Sequence, residues 1–399
     1  LPAEIDHAAP LARSVLYLGT RLTGLPPRAG NRVELLLENE GAFRSKAEAI
    51  RGAARSVWAE YYIVEDDATG RAFLADLAER ALAGCDVRLL YDAVGSSDIP
   101  EEGLEALRAV GGKTAAFLPL NPLRRRWSAH LRNHRKLLVV DEEIAFTGGM
   151  NVGDEYARGS RLAGGSGGPL RNRPWRDAHL RVEGPAVFDL ATVFAEDWSF
   201  ATGERLVPGR IPMPTSDGSV VAVLPSGPDQ TANANAHVYF SALSGALERC
   251  WLTTPYFVPD EPAARALANA ALRGIDVRVL VPAESDVPVA RAAGRFFYGS
   301  LLRAGVRIFE YVPAVLHAKT VVVDGSWALV GSANFDFRSF ALNFELGAVV
   351  YDRAFAALLE ERFIRDLAES REVTLAAVER RGFAERARLG LARLAAPLL

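Results

Sequence analysis

The chain repeats part of itself, and this repeat limits the architectures open to it. Segment 81–88, ALAGCDVR, reappears at 271–278 as ALRGIDVR. Each copy joins the end of a helical pattern to a glycine and a short apolar strand pattern. Helical and strand patterns alternate around both copies. The sequence therefore predicts a duplicated α/β protein, each half a mixed β-sheet flanked by helices, with the active site at the interface.

The chain length and the positions of prolines and glycines predict where the two halves meet. At 399 residues the chain is long for one hydrophobic core. Prolines and glycines cluster between 203 and 218, which indicates a connection between two units. We divide the chain into an N-terminal extension (1–30), a first half (31–205), a second half (206–370) and a C-terminal helical segment (371–399).

Charge and cysteine content exclude several classes of protein. The chain has 46 basic and 49 acidic residues and a net charge of −3, so no global positive field recruits nucleic acid or an anionic bilayer. Two cysteines form neither a disulfide framework nor a cysteine metal cluster. No uncharged apolar stretch reaches about 18 residues, so no membrane-spanning segment is predicted here. The first residue is Leu, and an anchor upstream of it stays open.

Two copies of a short motif carry the chemistry. Only four lysines occur in the chain, and two of them lie in these motifs. Each motif reads His-x-Lys-x-x-x-x-Asp, with His134, Lys136 and Asp141 in the first copy and His317, Lys319 and Asp324 in the second. Residues i and i+2 of a strand share a face, so each His lies beside its Lys. Each Asp ends its strand, and we interpret it as a turn residue.

Asn151 and Asn334 each follow a returning strand and small residues, at the same distance from their motif histidines. Each half thus offers an imidazole, an ammonium and a carboxamide that converge on one point. This set suits a phosphodiester: Lys and Asn side chains bind its oxygens, one His attacks phosphorus and the other protonates the leaving alcohol. The residues leave open which His is which, and the scheme requires no metal and no cofactor.

Each histidine needs a carboxylate on its second ring nitrogen to hold its tautomer. Asp177 and Glu345 are the candidates, because each follows the motif of its own half. The remaining histidines, His7, His130, His179 and His237, belong to no comparable motif and are interpreted as ordinary polar residues, with His130 near the rim of the site.

These residues resemble the phospholipase D superfamily, whose members carry duplicated His-Lys-Asp motifs, and within it the bacterial cardiolipin synthases of the short type without N-terminal membrane helices. The likeness runs from about Gly30 to the C-terminus. It includes segments 61–63, 90–92, 132–136, 148–151, 175–177, 254–259 and 338–345.

The resemblance implies two pseudo-symmetric phospholipase D-like halves and a phosphohistidine on His134. It also implies that two phosphatidylglycerol molecules give cardiolipin and glycerol. Two alternatives remain, namely a phospholipase D or nuclease that uses water as acceptor, and a non-catalytic lipid- or phosphate-binding scaffold.

Two segments raise the question of membrane contact. Arg124, Arg125, Arg126 and Trp127 form a basic run before the first motif, which fits a mouth for anionic headgroups, a solvated basic face or, less well, a nucleic-acid groove. In the C-terminal segment, Phe383, Ala387, Leu391 and Leu394 share a helical face, which fits core packing and membrane contact equally.

We expect a cytoplasmic protein, peripheral to the inner face of the membrane. Its expected partner is phosphatidylglycerol, and nucleic acid is disfavoured. The oligomeric state is left open. A glycine-rich segment at 164–168 is expected to be a surface loop, or alternatively a lid over the site.

Overall fold

The structure is a computed structural model that describes residues 10–119, 128, 130–157, 175–230 and 232–394. The basic run at 124–127 and the glycine-rich segment at 164–168 therefore lie outside the described residues.

The helices in these ranges are α1 (Pro10–Thr23), α2 (Asn39–Arg51), α3 (Ala68–Leu82), α4 (Glu101–Ala109), α5 (Asp154–Ala157), α6 (Ala186–Thr202), α7 (Ala234–Gly245), α8 (Glu261–Leu272), α9 (Pro288–Ala304), α10 (Phe337–Ala341), α11 (Arg353–Ala368), α12 (Leu375–Glu379) and α13 (Phe383–Leu394). The strands are β1 (Arg28–Leu36), β2 (Ser56–Tyr61), β3 (Asp86–Asp92), β4 (Lys113–Phe117), β5 (Arg132–Asn133), β6 (Lys136–Val140), β7 (Ile144–Gly148), β8 (Trp175–Arg176), β9 (His179–Glu183), β10 (Ser219–Ser226), β11 (Arg249–Thr253), β12 (Phe257–Val258), β13 (Asp276–Pro282), β14 (Arg307–Tyr311), β15 (Val315–Leu316), β16 (Thr320–Val323), β17 (Trp327–Gly331), β18 (Phe335–Asp336), β19 (Asn343–Tyr351) and β20 (Ser370–Glu372).

The two halves share one large mixed sheet. Its order, β20-β14-β13-β11-β16-β17-β19-β10-β1-β9-β7-β6-β2-β3-β4, is nearly symmetric about the antiparallel pair β1 and β10. In each half three strands run parallel and are linked by helices, and the motif strand returns as an antiparallel hairpin. The predicted duplicated α/β fold is confirmed. The sheets of the two halves join edge to edge through β1 and β10, a point on which the sequence made no prediction.

Helices cover both faces of this sheet, because its strands are buried on both sides and lack polar alternation. Helices α6 and α11 cover one face with a core that runs through both halves. On the other face α2, α3 and α4 cover the first half, whereas α7, α8 and α9 cover the second. Helix α1 packs on the second half through Val15 and Leu16, although it comes first in the chain.

The motif aspartates close the hairpins β6–β7 and β16–β17. Asp141 and Asp324 have φ of 53° and 51°, in the left-handed region that asparagine and aspartate tolerate. The Asp141 carboxylate accepts backbone N–H bonds from residues 54, 55 and 56, and that of Asp324 accepts from 247, 248 and 249. Both carboxylates therefore tie the hairpin tip to the start of a neighbouring strand, at the far end of the motif strand from its histidine.

Helix α13 lies against α9 at the end of the chain. Its Leu389 is buried, and Ala392 packs against an apolar cluster that includes Ala290. Among the described helices, none has both the length and the apolar composition that crossing a bilayer requires.

Candidate active site

Two very short strand pairs bring the motifs together. Strand β5 pairs in parallel with β19, and β8 pairs in parallel with β15, so each pair joins one half to the other. The backbone N–H of His134 donates to the carbonyl of Phe344 at 2.9 Å, and that of His317 donates to the carbonyl of Arg176 at 2.8 Å. Each histidine is therefore held in place by backbone from the opposite half.

The carboxylates pair with the histidines in the same crossed manner. Nδ1 of His134 lies 2.9 Å from Oε2 of Glu345, and Nδ1 of His317 lies 2.7 Å from Oδ2 of Asp177. The structure thus brings together the four side chains that the sequence selected. The reasoning that each acid serves the motif of its own half is wrong, because β5 brings the first motif beside β19 and Glu345, and β8 brings Asp177 beside β15 and the second motif. Strands of two residues have too little periodicity to be predicted.

The two acids have different hydrogen-bond partners. The hydroxyl of Ser332 donates to Glu345 and accepts the backbone N–H of Leu346 at 2.9 Å. Asp177 accepts the backbone N–H of Ala178 at 2.7 Å. The first-half counterpart of Ser332 is Gly149, where an added Cβ would lie 2.1 Å from Oδ1 of Asp177. The sequence analysis used these positions only as small residues and missed the hydroxyl of Ser332.

Both motif lysines are fully buried beside their histidines. Nζ of Lys136 donates to the carbonyl of His134 at 2.6 Å, and Nζ of Lys319 donates to that of His317 at 2.6 Å. Nζ of Lys319 also lies 2.9 Å from both ring nitrogens of His317. Burial lowers the pKa of Lys136 well below its usual range, and it lowers the pKa of Lys319 to about 8 against the attraction of Asp177.

Burial also controls the charge of the histidines. It lowers the pKa of His134 and of His317 to about 4, although the facing carboxylate raises each. Burial by itself would raise the pKa of Asp177 and Glu345, but the facing histidine and lysine charges bring both below their ordinary values. Burial thus favours the neutral form of each imidazole, whereas the facing carboxylate favours the charged form. A neutral imidazole bonded through Nδ1 keeps the lone pair of Nε2 available for attack.

The carboxamides predicted to bind phosphate lie on the wall of the same cavity. Asn151 accepts the backbone N–H of Ile63 at 3.2 Å and donates to the hydroxyl of Tyr156 at 2.8 Å. Oδ1 of Asn334 is buried without a hydrogen-bond partner among the described residues. The Asn334 carboxamide oxygen is thus unpaired within the described protein, whereas that of Asn151 already accepts a hydrogen bond.

The cavity has a volume of about 930 Å³ and lies on the seam between the halves. Aromatic rings hold the imidazoles: the ring centroid of Tyr62 lies 5.0 Å from that of His134, and those of Trp175 and Tyr156 lie 4.7 and 5.5 Å from that of His317. These rings come from the segments 61–63 and 175–177 that the sequence analysis singled out, and from Tyr156, which it missed.

Among the described residues three arginines line this cavity, and they differ in how many contacts they make with other protein groups. Arg132 pairs with Asp92 at 3.4 Å, and Arg338 donates to the carbonyl of His130 at 2.9 Å. Nε is buried and unpaired in both Arg132 and Arg291, but the side chain of Arg291 makes no hydrogen bond or ion pair with the described residues at all. Arg291 is therefore the cation in this wall best placed to bind an anionic group of a ligand. The sequence analysis did not identify it, since it belongs to no motif.

The cavity wall also holds carboxylates: Glu155, Glu284, Asp286 and Asp336. Oδ2 of Asp286 accepts the hydroxyl of Tyr256 at 2.7 Å, and burial raises the pKa of Asp336 to about 6. Within the described ranges, no group of three or more His, Cys, Asp or Glu side chains is placed to hold a metal ion.

Comparison with known proteins gives a consistent result. The family described as "Cardiolipin synthase, PLD-like domain" matches residues 47–161 and 239–367. Cardiolipin synthase A of Pseudomonas aeruginosa is 41% identical over 383 residues, which cover 95% of this chain and 76% of the relative. That of Pseudomonas fluorescens SBW25 is 38% identical over 402 residues, with 99% and 81% covered.

A crystal structure supports the fold. Phosphatidylserine synthase of Haemophilus influenzae superposes with a TM-score of 0.71 at 16% identity, over 97% of this chain and 100% of that one.

Proposed function

The chain belongs to the phospholipase D-like family of cardiolipin synthases, and from this membership we propose that it joins two phosphatidylglycerol molecules to give cardiolipin and glycerol. The observation that carries the proposal is the pair of complete, buried histidine–carboxylate dyads that face one cavity. A double displacement needs a nucleophile and an acid, and each dyad can supply one of them. A scaffold that only binds phosphate needs neither.

In the first step we assign His134 as the nucleophile. Its Nε2 attacks the phosphorus of one phosphatidylglycerol, and an N–P bond forms while the P–O bond to the headgroup glycerol breaks. Nε2 of His317 gives its proton to the departing oxygen. The Lys319 charge beside the His317 ring disfavours the imidazolium, and so favours this proton transfer. The negative charge of the bound lipid raises the pKa of His317, so that His317 carries a proton when the lipid is bound.

In the second step the headgroup hydroxyl of another phosphatidylglycerol is the nucleophile. His317 takes the hydroxyl proton, the oxygen attacks phosphorus, and the N–P bond breaks to restore His134. Lys136, Lys319 and the carboxamides of Asn151 and Asn334 stabilise charge on the non-bridging oxygens. Asp177 and Glu345 hold the ring orientations, and each stabilises the positive charge that its histidine carries during transfer.

The acceptor lipid brings a second phosphate, which needs a cation of its own. The buried lysines serve the reacting phosphorus, and Arg132 is already paired with Asp92. We therefore assign the acceptor phosphate to Arg291, whose Nε has no partner in the described wall. Binding of this phosphate favours a lipid over water in the second step, because it places the headgroup hydroxyl near the phosphohistidine.

Both substrates are bilayer lipids, so the proposed reaction takes place at a membrane surface, with the protein peripheral to the inner face. The expected contact through Arg124, Arg125, Arg126 and Trp127 lies outside the described residues and stays a prediction.

Thin-layer chromatography of products from phosphatidylglycerol vesicles tests the proposal. We expect cardiolipin with an equal amount of glycerol, and none from a His134→Ala and His317→Ala double variant. Phosphatidic acid as the sole product would make the protein a hydrolase. Cleavage of single-stranded DNA at a comparable rate, with vesicles left intact, would make it a nuclease.

A further inference from the structure

We propose that α13 and the adjoining outer face of α9 form the surface that docks this protein onto an anionic lipid bilayer, with the cavity opening beside it. The docking surface is defined by Phe383, Leu391 and Leu394 of α13 and by Val289 and Phe296 of α9. This inference rests on the proposed function, since it places the lipid source next to the cavity.

Helix α13 turns its largest apolar side chains away from the protein. Phe383, Leu391 and Leu394 are 87, 69 and 77% exposed, whereas Leu389 on the other side of the helix is 4% exposed. The sequence pattern left open whether the first three residues pack into a core, and the structure shows that they do not. Exposure of such a face to water is unfavourable, and its transfer to an apolar phase lowers the free energy.

The docking surface adjoins residues that form part of the cavity wall. Ala392 packs against the cluster that contains Val258 and Ala290, and both of these residues line the cavity. On α9, Val289 is 44% exposed and Phe296 is 40% exposed. A bilayer in contact with this surface would therefore lie beside the part of the cavity wall that Val258 and Ala290 form.

Charges around the docking surface favour an anionic membrane. Segment 379–394 contains five arginines and two glutamates. Glu385 pairs with Arg381, Glu379 pairs with Arg303, and the guanidinium of Arg393 lies over the ring of Phe296 at 4.7 Å. Arg386 and Arg388 are exposed on the same helix. An amphipathic helix with apolar residues on one face and arginines beside them lies in the plane of a bilayer, with the arginines at headgroup level.

Flotation with phosphatidylglycerol vesicles tests this surface. The variant Phe383→Ser, Leu391→Ser, Leu394→Ser should bind at least about tenfold less, because it removes the apolar area that inserts. The matched control replaces Leu82, Leu247 and Leu272 by Ser, since these leucines are 73, 69 and 68% exposed on other elements. The control should bind as wild type does, and wild-type binding should weaken as salt rises.

Activity in mixed detergent micelles separates the docking surface from the active site. Both triple variants should keep wild-type cardiolipin synthesis there, because micelles deliver lipid without docking on a bilayer. Unchanged vesicle binding of the α13 variant would overturn the proposal, as would equal loss in the control. Dissociation of a wild-type dimer by the α13 substitutions, with vesicle binding unchanged, would assign this face to a second copy instead. A wild type that binds vesicles but makes no cardiolipin would refute the proposed function and leave the docking surface standing.

A single substitution tests the same surface even if the triple variant misfolds. Leu391→Trp should show a blue-shifted emission with phosphatidylglycerol vesicles and quenching by brominated lipid. Emission that stays at the wavelength of an exposed Trp would overturn the proposal.

Discussion

Nδ1 of His134 lies 2.9 Å from Oε2 of Glu345, a residue 211 positions further along the chain and in the other half of the molecule. The second dyad, His317 with Asp177, crosses the seam in the opposite direction over 140 positions. This reciprocal exchange makes each half dependent on the other for a working histidine. Because each dyad has its own histidine and its own carboxylate, substitutions can alter one dyad at a time.

Replacing either motif histidine by alanine should lower cardiolipin synthesis by about 10²- to 10⁴-fold, the range typical of a lost acid or base. A chromogenic p-nitrophenyl phosphodiester separates their roles, because its leaving group needs no acid. His317→Ala should keep a burst of nitrophenol with this substrate, whereas His134→Ala should not. The reverse result would exchange the two assignments. His237→Ala is the control, since His237 is exposed and outside the cavity.

Nuclear magnetic resonance titration of ¹⁵N-histidine should reveal the crossed pairing. Glu345→Gln removes a charge that raises the pKa of His134, so that pKa should fall further below about 4 while that of His317 stays. Asp177→Asn should act on His317 alone. If Glu345→Gln shifted His317 instead, the dyads would pair within each half. Both variants should lose activity while the chain stays folded, because the amides keep the shape of the site.

Ser332 and Gly149 should respond differently to substitution although they are counterparts. Ser332→Ala removes one of several donors to Glu345, so we expect a loss of about 1–3 kcal/mol in stability or rate from an under-bonded buried carboxylate. Gly149→Ser should abolish activity, because its Cβ would overlap Oδ1 of Asp177 at 2.1 Å. Steady-state rates and thermal melts measure both effects. Equal, mild effects at the two positions would contradict the inequivalence of the dyads.

Asp141→Asn and Asp324→Asn should reduce stability and spare catalysis. Each carboxylate accepts three backbone N–H bonds at a hairpin tip, and an amide oxygen replaces only part of that acceptance. We expect lower melting temperatures with unchanged rate per folded molecule below the transition. Lost activity with an unchanged melting curve would instead place these aspartates in the reaction.

Arg291→Gln should move the products from cardiolipin toward phosphatidic acid and raise the phosphatidylglycerol concentration needed for half-maximal transfer. The reason is that the acceptor phosphate loses its cation while the dyads stay intact. Arg303→Gln on the same helix is the matched control, because Arg303 is exposed and pairs with Glu379 outside the cavity. A product ratio that is the same in both variants would remove Arg291 from the acceptor site.

Sequence reasoning recovered what local patterns encode. The duplication, the motif strand and the turn at Asp141 all follow from spacing and residue type, although β6 begins at Lys136 and His134 lies between β5 and β6. It also found Asp177 and Glu345 as acids. It could not pair them correctly, because β5 and β8 have two residues each and gain their register only from the opposite half.

Features that depend on packing between elements could not be predicted from the sequence either. Arg291 stands out only because its neighbours leave Nε without a partner, and Phe383 only because α13 turns its opposite face to α9. Neither property is encoded within a short window of sequence.

The strand pairing across the seam also sets the time at which the protein acquires activity. While the chain is being synthesised, His134 and Asp177 emerge long before β19 and β15, so at that stage the His134 imidazole lacks its carboxylate and the Asp177 carboxylate lacks its imidazole. Neither dyad can form until residues 315–316 and 343–345 have docked. A chain that ends before residue 315 therefore has neither dyad, and this dependence comes from the strand pairing itself.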